Sequence, residues 1–306
     1  MTTALRPMST GEVLDRTFNL YRNNFQLFAG IATILSLLSL VGALLLVFMG
    51  GGALTATPDL RNPGAFVLLI LAWGIGYLLC YLVGYALSQG ATIYAVSKVH
   101  LGQRTTIKES YNKIRPQLGS IIFIIFIVFL RIFGALLLAY ILTALMVGAA
   151  IASGAGVIAA ILGFCLLAGA AVWMLSIACK YALAVPACLL EKVKGVAALR
   201  RSRELAQGSL FRIFIVLLMV FILNFIFSLA LQWVGALALY SYALIGWNLL
   251  AGFVASTLSF PISNIAYSLF YYDQRIRKEA FDLQLMMEAV GQAPPAQGAA
   301  AAPSIG

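Results

Sequence analysis

A charged residue inside a long apolar stretch is the first candidate for chemistry. Arg131 stands in FLRIFG, near the middle of an apolar run that begins at Leu118. A charge at the centre of a bilayer costs about 2.5–3.5 kcal/mol even on scales from insertion experiments. The functional interpretation is a site for an anion or lipid headgroup, or a relay. The structural alternative is an arginine that hydrogen-bonds carbonyls and Asn224, or that snorkels to the interface.

Asn224 is the second candidate, because aligned apolar runs place it at nearly the depth of Arg131. Ser36 and Ser39 of the first run lie close to the same depth. These residues are compatible with a polar layer at mid-membrane, and Arg131 and Asn224 are its candidate site.

A basic segment from Lys180 to Arg212 lies between two apolar runs. Juxtamembrane basic clusters attract anionic lipid headgroups. The candidate contacts are Lys194, Arg200, Arg201 and Arg203. Glu191 is expected to pair with Arg200 or Arg201, or to cap the helix that carries them.

Other chemistries have little support in the sequence. His100 is the only histidine, so a histidine-based catalytic or metal site would have to be built on it alone. The cysteines have no CxxC spacing and no histidine neighbours, so neither a metal site nor a disulfide framework is indicated. They are Cys80, Cys165, Cys179 and Cys188. We therefore expect no catalytic residue, no metal and no cofactor.

Composition identifies the elements that position these residues. Apolar residues make up 62% of the chain, charged residues 10%, and the mean hydropathy is +0.99. Soluble domains are about 45–50% apolar and about 25% charged. Several runs exceed the ~20 apolar residues that cross a bilayer. The net charge of +10 lies in short segments beside these runs, so nucleic acid is not an expected partner.

Six spans are predicted. They cover residues 26–49, 64–99, 118–147, 157–182, 211–234 and 242–271. Capping boxes are predicted at Ser9–Glu12 and at Thr106–Glu109. Another amphipathic helix is expected over 272–290, followed by a disordered tail at 291–306.

Three segments resemble one another at a period of about 92 residues. They begin at Asp15, Lys108 and Arg200, and each has an amphipathic turn, a break and an apolar run. The predicted fold is an all-α integral membrane protein with six transmembrane helices. These form three helical hairpins with cytoplasmic amphipathic interfacial helices, in a membrane domain over 1–290 with repeats at 8–102, 103–194 and 195–280.

Charge placement predicts the topology. Apart from Arg61 and Arg131, every one of the 20 Lys and Arg residues flanks the spans on the same predicted side. Basic loops stay in the cytoplasm. We therefore expect both termini in the cytoplasm.

Three stretches carry a family resemblance: LRPMSTGEVLDRTFNLYRNNF, YALAVPACLLEKVKGVAALRRSRELAQGSLFR and LFYYDQRIRKEAFDLQLM. Over about residues 5–288 the chain resembles the bacterial glycerophosphoryl diester phosphodiesterase membrane-domain family. The resemblance implies a multi-pass protein of the bacterial inner membrane. We expect no catalytic barrel of the kind that follows this domain in some members, and the resemblance transfers no catalytic residue to the 306 residues.

The expected function is non-catalytic: a membrane scaffold or lipid-interacting module that acts with a membrane or cytoplasmic protein partner. The alternative is a transporter or channel-like protein for a lipid or small anionic solute, using Arg131, Asn224 and a sixth helix broken at Pro261. A water-accessible cavity that reaches Arg131 would favour transport, and a dry core would favour the scaffold.

Overall fold

The chain is an assembly of helices in the computed structural model, which describes residues 8–55, 63–153, 156–238 and 242–279. No strand occurs within these ranges. The long helices are α2 (Phe25–Thr55), α3 (Pro63–His100), α5 (Leu118–Ser153), α6 (Gly156–Tyr181), α9 (Leu210–Ala238) and α10 (Tyr242–Glu279). The short helices are α1 (Thr10–Asn23), α4 (Ile107–Ile114), α7 (Ala184–Leu190) and α8 (Val196–Ala206), and a 3-10 turn at Arg115–Gln117 joins α4 to α5.

All six long helices are long and apolar enough to cross a membrane. Only helices and closed barrels satisfy their backbone groups within a bilayer, which accounts for the helical form of these segments. A hydrocarbon layer of ~30 Å requires about 20 helical residues, which accounts for their length. The prediction of a multi-pass helical membrane protein is confirmed.

Helix starts follow the predicted capping chemistry. The Ser9 hydroxyl accepts a hydrogen bond from the Glu12 amide at 3.2 Å, and the Glu12 carboxylate accepts one from the Ser9 amide at 2.7 Å. This reciprocal pair satisfies two free N–H groups at the start of α1. At the start of α4 the described residues form only half of the predicted box: the Thr106 hydroxyl accepts from the Glu109 amide at 3.2 Å, whereas the Glu109 carboxylate accepts from the Thr105 and Tyr94 hydroxyls.

Helix α10 is continuous across two predicted boundaries. Pro261 lies inside it and does not end it, so the expected break of the sixth helix is not found. Residues 272–279 also continue this helix, and the side chains of Asp273 and Gln274 are fully buried. The rest of the helix predicted over 272–290 and the predicted tail 291–306 lie outside the described residues.

Consecutive long helices pack against each other: α2 with α3, α5 with α6, and α9 with α10. Helix α10 also packs against α2 and α3. The α5–α6 pair exposes large apolar side chains along much of its length, such as Tyr140 and Phe164. In a bilayer such side chains face lipid tails. The hairpin arrangement and the internal repeat stay predictions.

The buried core lies at one end of the assembly. Three clusters of buried apolar side chains join α1, α4, α7 and α8 to the adjoining turns of the long helices. Phe28, Ile121 and Tyr271 are among their fully buried members. We call this end, formed by α1, α4, α7, α8 and residues 265–279 of α10, the basic end.

Candidate functional site

The last two turns of α10 form the polar centre of the basic end. The carboxylate of Asp273 is fully buried and accepts a hydrogen bond from the Met8 amide at 2.7 Å. Arg212 and Arg277 donate to the same carboxylate at 3.1 and 3.0 Å. Both arginines also donate to the Met8 carbonyl, at 3.0 and 2.7 Å. Asp273 therefore fixes the segment before α1 against α9 and α10.

A second charged cluster joins α8 to α10. Arg201 donates to Glu191 at 2.7 Å and forms an ion pair with Glu279. Arg275 donates to Glu279 at 3.1 Å, and the Tyr271 hydroxyl donates to Glu191 at 2.6 Å. The expected pairing of Glu191 with an α8 arginine is confirmed, with Arg201 as the partner.

The environment of Arg201 keeps it charged. Burial lowers the pKa of its guanidinium, and the hydrogen bonds and charges of Glu191 and Glu279 outweigh this, so the net shift is upward. Two carboxylates engage the Arg201 guanidinium, which distinguishes it from the exposed Arg200 and Arg203 among the predicted lipid contacts.

Helix α8 is anchored along one face. The Ser202 hydroxyl donates to the carbonyl of Lys180 at 2.8 Å. Lys278 reaches the free carbonyls at the end of α8, donating to that of Glu204 at 2.9 Å. Gly208 follows with a φ of +76°, a conformation that glycine adopts without strain, and this turn leads the chain into α9.

The opposite face of α8 presents positive charge. The Arg200 side chain is 84% exposed and forms an ion pair with Glu204, one turn further along, at 3.3 Å. Arg203 of the same helix is exposed, and so is Lys194, two residues before α8 begins. Because Ser202 contacts the last turn of α6, these basic groups lie near the level where that span ends.

Arg131 contacts the end of the neighbouring span. Its guanidinium donates to the hydroxyl of Tyr181, the last residue of α6, and lies 5.1 Å from the centre of the same ring. A cation above an aromatic face gains electrostatic energy. The Arg131 side chain therefore reaches towards the basic end, as the snorkelling interpretation expects, and it stays exposed.

Asn224 belongs to a different contact. Its amide donates to the Val220 carbonyl at 2.7 Å and to the Ser263 hydroxyl of α10 at 3.3 Å. Ser36 accepts a hydrogen bond from Ser256 of α10 at 3.0 Å. These contacts join α10 to α9 and to α2. The hydrogen bonds of Arg131 and Asn224 do not connect the two residues.

A cavity of about 370 Å³ lies between α3, α5, α6, α7, α9 and α10. Most of its lining is aliphatic or aromatic, and its polar members are Tyr81, Tyr85, Gln89, Tyr181 and Tyr267. This cavity was not predicted from the sequence. A series of tyrosines in α3 at helical spacing could have indicated it, because that spacing places Tyr81 and Tyr85 on one face of the helix.

The remaining candidates fit structural roles. His100 is stacked on Tyr272, with ring centres 5.1 Å apart. Cys179 and Cys188 are buried free thiols, and Cys80 and Cys165 are exposed free thiols. Within the part of the chain that the structure describes, no cluster of His, Cys, Asp or Glu could hold a metal ion.

Comparisons with protein-family models, curated proteins and solved structures gave no match to the chain.

Proposed function

We propose that the chain is a non-catalytic membrane protein that contacts anionic lipid headgroups through the exposed basic face of α8. It would act as a scaffold or lipid-interacting module with a membrane or cytoplasmic protein partner. The resemblance to the glycerophosphoryl diester phosphodiesterase membrane-domain family supports a location in the bacterial inner membrane, with both termini in the cytoplasm.

One observation carries the proposal: α8 is held on one face and charged on the other. Ser202 and Arg201 hold it to α6 and α10, and Arg200 and Arg203 project from it. A basic helix free in solution would lose entropy on reaching a membrane surface. A helix already fixed beside the end of a span does not, so each Lys or Arg can contribute the ~1 kcal/mol expected near an anionic surface.

The alternative of a transporter or channel-like protein has less support. It requires Arg131 and Asn224 to serve one solute path, whereas Arg131 bonds to α6 and Asn224 to α10. The cavity beside Arg131 is lined mainly by aliphatic and aromatic side chains, so it is not the water-accessible cavity that would favour transport. We therefore favour the lipid-interacting module.

The test compares lipid preference in three proteins reconstituted with mixed phosphatidylglycerol and phosphatidylcholine. The first is the wild type, the second carries Lys194→Gln, Arg200→Gln and Arg203→Gln together, and the third carries Arg201→Gln. Bound lipid is counted by native mass spectrometry. We expect the triple variant to bind fewer phosphatidylglycerol molecules than the wild type, and the Arg201 variant to bind as many as the wild type. An unchanged number of bound phosphatidylglycerol molecules in the triple variant would overturn the proposal.

A further inference from the structure

The cavity has the size and position of a lipid-chain site. Its volume of about 370 Å³ falls within the range of roughly 300–1,000 Å³ for ligand pockets. Five of the six helices that line it are membrane-spanning helices. Phe129, Tyr181 and Leu217 line it and are only half-buried, so the cavity is not sealed from the surrounding bilayer.

A positive charge stands at the rim of this cavity. Tyr181 lines the cavity and accepts the hydrogen bond from Arg131. The next residue along α5, Ile132, lines the cavity too. The guanidinium has five N–H donors, so the bond to Tyr181 leaves others to meet an oxyanion. Arg131 also stays exposed, where such a group can reach it.

A second, independent observation comes from inside the cavity. Gln89 lines it and is 7% exposed, and its Oε1 atom is buried with no hydrogen-bond partner among the described residues. A buried acceptor without a donor costs about 1–3 kcal/mol. A hydroxyl group of an occupant, or a water that enters with it, would remove this cost.

We infer that the cavity binds the hydrocarbon chain of a membrane lipid whose oxyanion is held by Arg131. The inference rests on the proposed lipid-interacting function and assigns it a site separate from α8. Lipid tails are as apolar as the cavity lining, so burying the chain gives little preference for one lipid over another. Selectivity must come from the headgroup, which assigns it to Arg131.

The shared chemistry is a long chain with a headgroup of net negative charge, which a phosphatidylglycerol phosphate or a fatty-acid carboxylate supplies. Phosphatidylcholine also has a phosphate, but its choline cation cancels the net charge. The full chain with its four native tryptophans replaced by phenylalanine and with Phe129→Trp, reconstituted in phosphatidylcholine, places a single fluorescent reporter on the cavity lining. Phe164→Trp in the same background is the matched control, because it lies on α6, is 73% exposed and does not line the cavity. Lipids with brominated chains quench the reporter they touch. The arms are brominated phosphatidylglycerol, phosphatidylcholine and oleic acid.

At the Phe129→Trp reporter, we expect brominated phosphatidylglycerol or oleic acid to reach half-quenching at about three- to tenfold lower mole fraction than phosphatidylcholine. A preference for phosphatidylglycerol over oleic acid identifies a phosphate as the group that Arg131 binds, and the reverse preference identifies a carboxylate. Adding Arg131→Gln should abolish the difference, and Arg131→Lys should restore part of it. The Phe164→Trp reporter should respond equally to all three lipids.

Equal quenching at both reporters, or a difference that survives Arg131→Gln, would overturn the inference. The triple variant of Lys194, Arg200 and Arg203 separates the two proposals. If it binds less phosphatidylglycerol than the wild type while the cavity reporter does not discriminate between lipids, the cavity inference fails alone. If the cavity reporter discriminates while the triple variant behaves as wild type, the α8 proposal fails alone.

Discussion

We expect the charge of Asp273 to contribute more to the stability of the basic end than any other single charge. Its carboxylate is fully buried and accepts hydrogen bonds from Met8, Arg212 and Arg277. Asp273→Asn removes the charge that both arginines face. Since hydrogen bonds to charged groups are worth about 1.5–3 kcal/mol, and both arginines stay partly exposed, we expect a loss of stability of this order. Thermal unfolding in detergent measures it.

Glu204→Gln is the matched control for this change. It makes the same acid-to-amide replacement in an exposed pair with Arg200, and surface pairs contribute little. We also expect Asp273→Asn, and not Glu204→Gln, to speed hydrogen exchange at the Met8 amide. Equal melting temperatures for the two variants would contradict the role given to Asp273.

Arg200 and Arg201 are neighbours with opposite roles. The side chain of Arg201 is 26% exposed and contacts Glu191 and Glu279, whereas that of Arg200 is 84% exposed. Arg201→Gln removes one of the two arginines that face Glu191 and Glu279 and leaves Arg275 to pair with both carboxylates, so we expect a lower melting temperature. Arg200→Gln should leave the melting temperature unchanged. A larger loss in Arg200→Gln than in Arg201→Gln would reverse this assignment.

Sequence reasoning could predict such contacts only where they are local. The pairing of Glu191 with an α8 arginine followed from ten residues of separation. The partner of Arg131 is Tyr181, on another helix, and nothing in the apolar sequence between them indicates which faces meet. Periodicity in a uniformly apolar helix carries little information about orientation, because there is no polar face to mark.

At the scale of the helices, close packing depends on glycine at a few positions. A Cβ atom added to Gly42 would lie 1.8 Å from Tyr77, whereas one added to Gly74 would meet no described atom within 4 Å. Overpacking a well-packed site costs about 1–3 kcal/mol. Gly42→Leu should therefore weaken the contact between α2 and α3.

Gly74→Leu controls for the change in helix propensity and in side-chain volume. Thermal unfolding should show a clear loss for Gly42→Leu and none for Gly74→Leu. The Tyr77 ring stacks on Trp73 at 5.4 Å, so Gly42→Leu should also shift the tryptophan emission. Equal melting temperatures would show that α2 and α3 do not approach closely at Gly42.

The spans were the most predictable elements, and α10 shows where prediction failed. The charges at 273–279 suggested that the sixth span had ended at Tyr271. In the structure the same helix continues, because Asp273 and Glu279 are neutralised by arginines within the basic end. Hydropathy treats each charge alone, so it cannot detect a charge that is buried with its partner.

At the scale of the whole molecule, the core is concentrated where the charges are. The three buried clusters and both ionic clusters share the basic end, while the far halves of α5 and α6 are exposed. Hydropathy values are similar along the whole length of each span, so they predicted no difference in burial between its two halves. They could not distinguish side chains that face lipid from side chains that face protein, because both surfaces are equally apolar.

Because several segments share one end of the molecule, a single experiment can test on which side of the membrane all of them lie. The segment before α1, α4, α8 and the last turn of α10 all lie at the basic end, and six helices are able to span. An even number of crossings returns the chain to its starting side. The positive-inside rule makes that side the cytoplasm. A reporter fused after Val290 should therefore be active only in the cytoplasm.

A reporter fused after Val234 supplies the control, because that truncation leaves five crossings and should place the same reporter outside. If the reporter after Val290 were found outside and the reporter after Val234 inside, the topology would be the reverse of the predicted one. Lys194, Arg200 and Arg203 would then face the outer leaflet. In that case the proposed contact with headgroups of the cytoplasmic leaflet would fail, whereas the cavity and its arginine would remain available to lipid from within the bilayer.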